Sequence, residues 1–215
     1  MVKVGLVRVL TVTSDKALKS QEEVILKNYA GIEITSRCIL DQPEGIYDDK
    51  TEQIAIPKIL KLAKDFEQEG YDLVYISCAA DPGVRECRTV LKIPVIGAGS
   101  CCASMAVSLG QHIGVLGITA GVPKVMQEII GERFVKIIKP AGVSSVLDIL
   151  VPGGAEKCIS SAKELAESGC DVIALACAGF STLGIYKEIK KQTGLIVIDP
   201  VMAAGGVIAA MRPFI

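Results

Sequence analysis

The chain alternates short uninterrupted apolar runs with longer stretches whose apolar residues recur every three or four positions. Val2–Leu10 is the first run and predicts a strand. Ser14 or Asp15 can cap the helix that follows, which places Leu18, Ile25 and Tyr29 on one face before Gly31 closes it. Ile32–Leu40 predicts a second strand, and Asp41–Asp49, with Pro, Gly and four acids, a loop. The next amphipathic stretch carries Ala55, Ile59, Leu62 and Phe66 on one side, with lysines largely on the others. Further strands are predicted at Ile93–Ile96, His112–Thr119, Phe134–Ile138 and Leu195–Ile198, separated by helices at Cys101–Leu109, from Pro123, over Ser144–Ser168, near Ser181 and at the Ala/Gly-rich end. Strands that read as apolar runs rather than alternating patterns are those of parallel sheets covered on both faces. The expected class is α/β.

The chain also repeats itself. Gly70-Tyr-Asp-Leu-Val-Tyr-Ile-Ser-Cys78-Ala79 returns as Gly169-Cys-Asp-Val-Ile-Ala-Leu-Ala-Cys177-Ala178. Each copy reads as a helix-ending Gly, a buried strand and a cysteine where that strand runs out. His112–Thr119 echoes Lys3–Thr11, and Ile196-Val-Ile198 echoes Pro94-Val-Ile96, in the same order along the chain. Duplication follows: two small parallel α/β domains related by a pseudo-twofold axis, with the active site in the cleft between them. The first lobe is expected over 1–98 plus 200–215 and the second over 99–199. Ligands of such sheets sit beyond the carboxyl ends of the strands, where Cys78 and Cys177 both lie.

Composition narrows the partners. Of 215 residues, 23 are basic and 24 acidic, for a net charge of -1, so a nucleic-acid partner is disfavoured. The uncharged run Ile93–Pro123 is cut by Pro94 and several glycines into pieces too short to cross a membrane. Met1-Val2-Lys3 leads straight into a strand, and Arg8 interrupts any apolar signal region, so a cytoplasmic location is expected. Eight cysteines without a signal argue for reduced thiols. With one His and no C-x-x-C spacing, no metal site is expected. Low charge and apolar helices leave room for a homo-oligomer; the ligand expected in the cleft is a small molecule.

A thiolate can act as base or nucleophile, and a helix N-terminus favours it. Cys78 stands three residues before Asp81-Pro82, which reads as N-cap and first helical position, and Cys177 four before Ser181. Most free cysteines are small buried hydrophobes. The repeated strand-end position outweighs that for these two, whereas Cys38, Cys87, Cys158 and Cys170 are read as structural and the Cys101-Cys102 pair as packing.

Ser77-Cys-Ala-Ala-Asp-Pro-Gly83, Pro94-Val-Ile-Gly-Ala-Gly99, Leu175-Ala-Cys-Ala-Gly-Phe180 and Val197-Ile-Asp-Pro-Val201 resemble the aspartate/glutamate/hydantoin racemase superfamily, nearest its hydantoin racemase branch. The resemblance spans nearly the whole chain. It implies a cofactor-independent racemase or epimerase in which Cys78 and Cys177 are the two acid/base groups. Backbone N–H groups of Ala79, Ala80, Ala178, Gly179 and Phe180 would stabilise an enolate oxygen. Where the amino-acid racemases usually carry Asn-Thr and Thr-His after their cysteines, this chain has Ala79-Ala80 and Ala178-Gly179. That weaker polar anchoring favours a neutral ring such as a hydantoin. Arg8-Val-Leu-Thr11 stands where the hydantoin branch tends to have an Asn-rich loop.

Other readings stay open at this level. The superfamily includes decarboxylases, which need one thiol, and cis-trans isomerases, which use one as nucleophile. Two lobes around a cleft also suit a non-catalytic small-molecule binding protein, though such a protein would not require both thiols. Thr11 and Thr119 end equivalent strands and could offer hydroxyls to a ligand or cap turns. Arg8 could bind an anion in the cleft or extend from the strand end to water. Asp81 and Asp199 read as helix caps, and the acidic loop Asp41–Asp49 as a solvated loop or a lid. Gly97-Ala-Gly99 lacks the third glycine of a dinucleotide fingerprint, with Cys102 in its place, so nucleotide binding is rejected there.

Overall fold

The computed structural model describes residues 1–214. It contains two four-stranded sheets, parallel throughout. The first is built from β1 (Val2–Arg8), β2 (Ile32–Cys38), β3 (Leu73–Ser77) and β4 (Val95–Gly97), ordered β2-β1-β3-β4. The second, from β5 (Ile113–Leu116), β6 (Phe134–Ile138), β7 (Val172–Leu175) and β8 (Ile196–Ile198), has the order β6-β5-β7-β8. The same order appears twice, as the internal echoes require.

Helices connect the strands: α1 (Asp15–Asn28), α2 (Asp49–Gln68), α3 (Val84–Val90), α4 (Ala98–Leu109), α5 (Lys124–Ile130), α6 (Val146–Ile149), α7 (Gly154–Ala166), α8 (Gly179–Leu183), α9 (Tyr186–Thr193) and α10 (Pro200–Met211). Local chemistry starts several of them. Ser14 caps α1 by accepting from the Ala17 N–H, and Asp48 with Thr51 forms a reciprocal capping box on α2. None of these helices is long and apolar enough to cross a membrane.

Period-two alternation divides each strand between two cores. In the first sheet Val7, Val74 and Ile76 face α2, where Ile59, Ala63 and Phe66 are fully buried against them. Burying a ring such as Phe66 stabilises the fold by about 1.5–3 kcal/mol. Val4, Leu6, Leu73 and Tyr75 point the other way, into a core they share with Ile113, Val115, Val172 and Ala174 of the second sheet. Helices α4 and α10, which follow β4 and β8, pack against each other inside that shared core. The two halves thus close around one common hydrophobic body, with their carboxyl strand ends on a single cavity.

Two local expectations are corrected. Asp81 does not cap the helix after it: α3 starts only at Val84 and has no side-chain cap. Asp81 instead accepts from the N–H groups of Gly99 (2.6 Å) and Ser100 (2.9 Å), so it caps α4 from across the sheet edge. The helix expected near Ser181 begins two residues earlier, at Gly179, and Ser181 lies inside it.

Candidate active site

In each sheet the strand order reverses beside the first strand, which is where open α/β sheets bind ligands. The residue pairs there are Arg8 with Ser77 and Leu116 with Leu175. Cys78 directly follows Ser77, and Cys177 lies two residues beyond Leu175. Both thiols line one cavity of about 560 Å³, large enough for a small-molecule ligand. Arg8, Ala79, Ala80, Thr119, Ala178 and Gly179 line it as well.

Thr11 and Phe180 do not. The Thr11 hydroxyl donates to the Ile39 carbonyl (2.7 Å) and accepts from the Gln42 N–H (2.8 Å), which closes the turn after β1. Phe180 is fully buried in the second-lobe core, and its backbone N–H bonds the Cys177 carbonyl. Thr119 stays on the cavity wall with its hydroxyl proton engaged by the Gly121 carbonyl at 2.9 Å.

The two sulfurs sit in unequal surroundings. Burial pushes Cys177 up to about 11, against which the N–H groups of Gly179 and Phe180 and the charge of Arg8 pull it down. The Gly179 N–H donates to its Sγ at 3.3 Å. Burial raises Cys78 further, to about 12, with only the Ala80 N–H favouring its thiolate and the charge of Cys177 opposing it. The expectation that a helix start brings both thiols toward neutrality is therefore reversed by desolvation. The asymmetry has a structural cause. Helix α8 begins immediately behind Cys177, while α3 begins well beyond Cys78. The surroundings of Cys177 therefore oppose its thiolate less than those of Cys78 oppose its own.

Backbone donors are available beside both sulfurs. The N–H groups of Ala79 and Ala178, each directly after a cysteine, bond no other backbone group among the described residues, and both residues line the cavity.

One residue at the centre of the site escaped the sequence reading. Gln21 is 2% exposed. Its Nε2 donates to the Ala178 carbonyl (3.0 Å), and its Oε1 accepts from the Ser77 hydroxyl (2.5 Å), which also approaches the Tyr75 hydroxyl at 3.2 Å. A side chain from α1 thus ties the residue before one cysteine to the residue after the other. The signal was a glutamine in step with Leu18 and Ile25 on the apolar face of its helix. The rim was also only partly foreseen. Gly45, Tyr47, Asp48, Asp49 and Glu52 come from the acidic loop and the start of α2, and face Val122, Lys124 and Val146 of the second half.

The family model described as Asp/Glu/Hydantoin racemase matches residues 19–205. The chain belongs to that family. A hydantoin racemase from Rhizobium meliloti is 26% identical over 198 residues, which is 89% of this chain and 81% of the relative. Among solved structures, an allantoin racemase from Klebsiella pneumoniae superposes with a TM-score of 0.86 at 21% identity, over 99% of this chain and 88% of that one. An arylmalonate decarboxylase gives a TM-score of 0.63 at 13% identity, covering 97% and 91%. At those identities the structural likeness speaks for the fold, which racemases and a decarboxylase share.

Proposed function

We propose that this family member is a cofactor-independent racemase or epimerase that inverts a carbon next to a carbonyl, with a hydantoin or an amino-acid-like compound as substrate. Cys78 and Cys177 are its two acid/base groups. The reading rests chiefly on one observation: equivalent strand ends of two related half-chains each deliver a thiol to the same cavity.

Inversion by proton transfer needs a base on one face of the carbon and an acid on the other. The Cys177 thiolate removes the proton from one enantiomer, becoming a thiol, and the electron pair moves onto the carbonyl oxygen as an enolate. The Cys78 thiol then protonates the opposite face and becomes the thiolate. The other enantiomer runs the same steps in reverse. The free N–H groups of Ala79 and Ala178 are the candidate donors to the enolate oxygen. A decarboxylase requires a single proton donor, so the paired thiols favour racemisation over it.

Single enantiomers of hydantoins, aspartate and glutamate, followed by loss of optical rotation in deuterated buffer, test the proposal, and release of CO2 from aryl malonates tests the decarboxylase alternative. Cys78→Ser and Cys177→Ser should each abolish racemisation. Each should still exchange the substrate proton slowly, from one enantiomer only and opposite between the two variants. Exchange that neither substitution affects would refute the two-thiol mechanism.

A further inference from the structure

Arg8 ends the central strand of the first sheet, beside Ser77 and hence beside Cys78. It lines the cavity yet is only 7% exposed. A guanidinium this buried is ordinarily matched by a carboxylate. Here no acidic group lies within ion-pair distance of it among the described residues. Its Nη1 donates to the carbonyls of Ala17 (2.8 Å) and Leu18 (2.9 Å) and approaches the Ser20 hydroxyl at 3.4 Å. Nε and Nη2 have no hydrogen-bond partner among the described residues. One corner of the fork is therefore pinned to the first turns of α1, which holds the group still. The Nε–Nη2 edge, whose two parallel N–H bonds match a carboxylate, is left unmatched on a cavity-lining residue.

We propose that Arg8 is the anion-recognition residue of this cavity, and that the substrate carries one carboxylate, or a group of like charge and shape, seated on its Nε–Nη2 edge. Placing the stereocentre between the sulfurs rests on the racemase reading; the anion site does not. The rim limits the charge to one. Asp48 and Asp49 stand exposed there, Glu52 is half-buried and Lys124 is the one cation opposite them among the described residues, so a second anionic group pointing outward would meet a net negative rim. Small residues after both cysteines remove the side-chain anchors that a carboxylate would otherwise find, and Arg8 replaces them from the neighbouring strand. An uncharged ring alone would leave the buried cation without a counter-charge.

The test compares a hydantoin bearing a carboxymethyl side chain with the uncharged carboxamide of the same shape. Binding is measured by calorimetry in the full chain carrying Cys78→Ala and Cys177→Ala, where no turnover intervenes. With Arg8 present the carboxylate should bind at least about tenfold tighter, Arg8→Gln should remove the preference, and Arg8→Lys should keep part of it, since a point charge replaces a fork. Equal affinities, or a preference that survives Arg8→Gln, overturn the proposal. Because Arg8 also holds α1, a second arm uses the unsubstituted chain. Sulfate at constant ionic strength should slow alkylation of Cys177 by iodoacetamide, read by mass spectrometry, several-fold relative to chloride. Absence of that protection likewise overturns the proposal. Racemisation without charge preference refutes the anion site alone, whereas anion selectivity without racemisation refutes the two-thiol reading alone.

Discussion

At the scale of single residues, Gln21 makes the alignment of the two sulfurs testable without touching either. It is the hydrogen-bonded link between Ser77 and Ala178, so its loss should change where the thiols sit more than whether a ligand enters. Gln21→Leu keeps the volume but takes the side-chain donor from the Ala178 carbonyl and leaves Ser77 dependent on Tyr75, at a cost of about 1–3 kcal/mol. A displacement on the order of 1 Å can cost about a hundredfold in rate. The expected outcome is a fall in kcat of about 10–100-fold with KM changed much less. Gln21→Glu keeps the acceptor for Ser77 and should recover part of the loss. Equal falls in kcat for both variants, or a change confined to KM, would show that Gln21 only fills space. The thiols themselves set a second expectation. With Cys177 pushed up to about 11 and Cys78 to about 12, the thiolate–thiol pair is scarce at neutral pH and grows tenfold per pH unit. Log kcat/KM should rise with a slope near one from about pH 7 to 9. A flat profile over that range would mean that Cys177 is already ionised in the free enzyme.

At the scale of elements, Asp81 holds the segment after Cys78 to the helix that begins after the next strand. Asp81 has a φ of 52°, a positive value that Asp41, at 53°, alone shares with it among the described non-glycine residues. Asp is among the few residues that adopt this left-handed conformation readily. Asp81→Ala removes the cap and keeps the backbone cost, for a loss of about 1–2 kcal/mol; Asp81→Asn should lose less than half of that. Thermal unfolding midpoints of the two variants check the order. Asp199 plays the matching part on α10, accepting from Val201 and Met202 while Ser181 donates to it at 2.6 Å. Strand and helix order was legible because buried parallel strands and amphipathic helices differ in period, and the thiols because their phrase occurs twice. The role of Gly97-Ala-Gly99 was not: a side chain at Gly97 would meet the Asp81 carboxylate and one at Gly99 the Ala79 carbonyl. Those glycines serve an approach between segments that are distant in sequence, and no local pattern carries such a contact. Gln21 was missed for the same reason, since its partners come from two different strand ends.

At the scale of the whole molecule, burial places most thiols where ionisation is strongly disfavoured while the fold stands. Burial raises Cys78 and Cys101 to about 12 and Cys87, Cys158 and Cys177 to about 11; it also raises Cys170, and Cys102 strongly. A group whose folded pKa lies above its unfolded value contributes stability that is complete below the unfolded pKa and is lost as pH climbs toward the folded one. For thiols that window opens near pH 9, the ordinary value of the group. Each such thiol then withdraws up to about 1.4 kcal/mol per pH unit. Several acting together exhaust a stability of about 5–15 kcal/mol within one or two units. The unfolding midpoint should therefore be flat with respect to thiol ionisation up to about pH 9 and fall steeply above it. Cys102→Ala tests the cause. This thiol is fully buried between the Leu175 and Ile198 carbonyls. Its removal should flatten the alkaline slope of stability by about one proton's worth while changing the neutral midpoint in the opposite sense or little. A slope identical to that of the unsubstituted chain would refute the linkage. The same window truncates catalysis: activity that rises with Cys177 ionisation should collapse where the fold does, before Cys78 can lose its proton. The descending limb of the pH–rate profile should accordingly coincide with the loss of secondary structure measured by circular dichroism, and separate limbs would assign it to the second thiol instead.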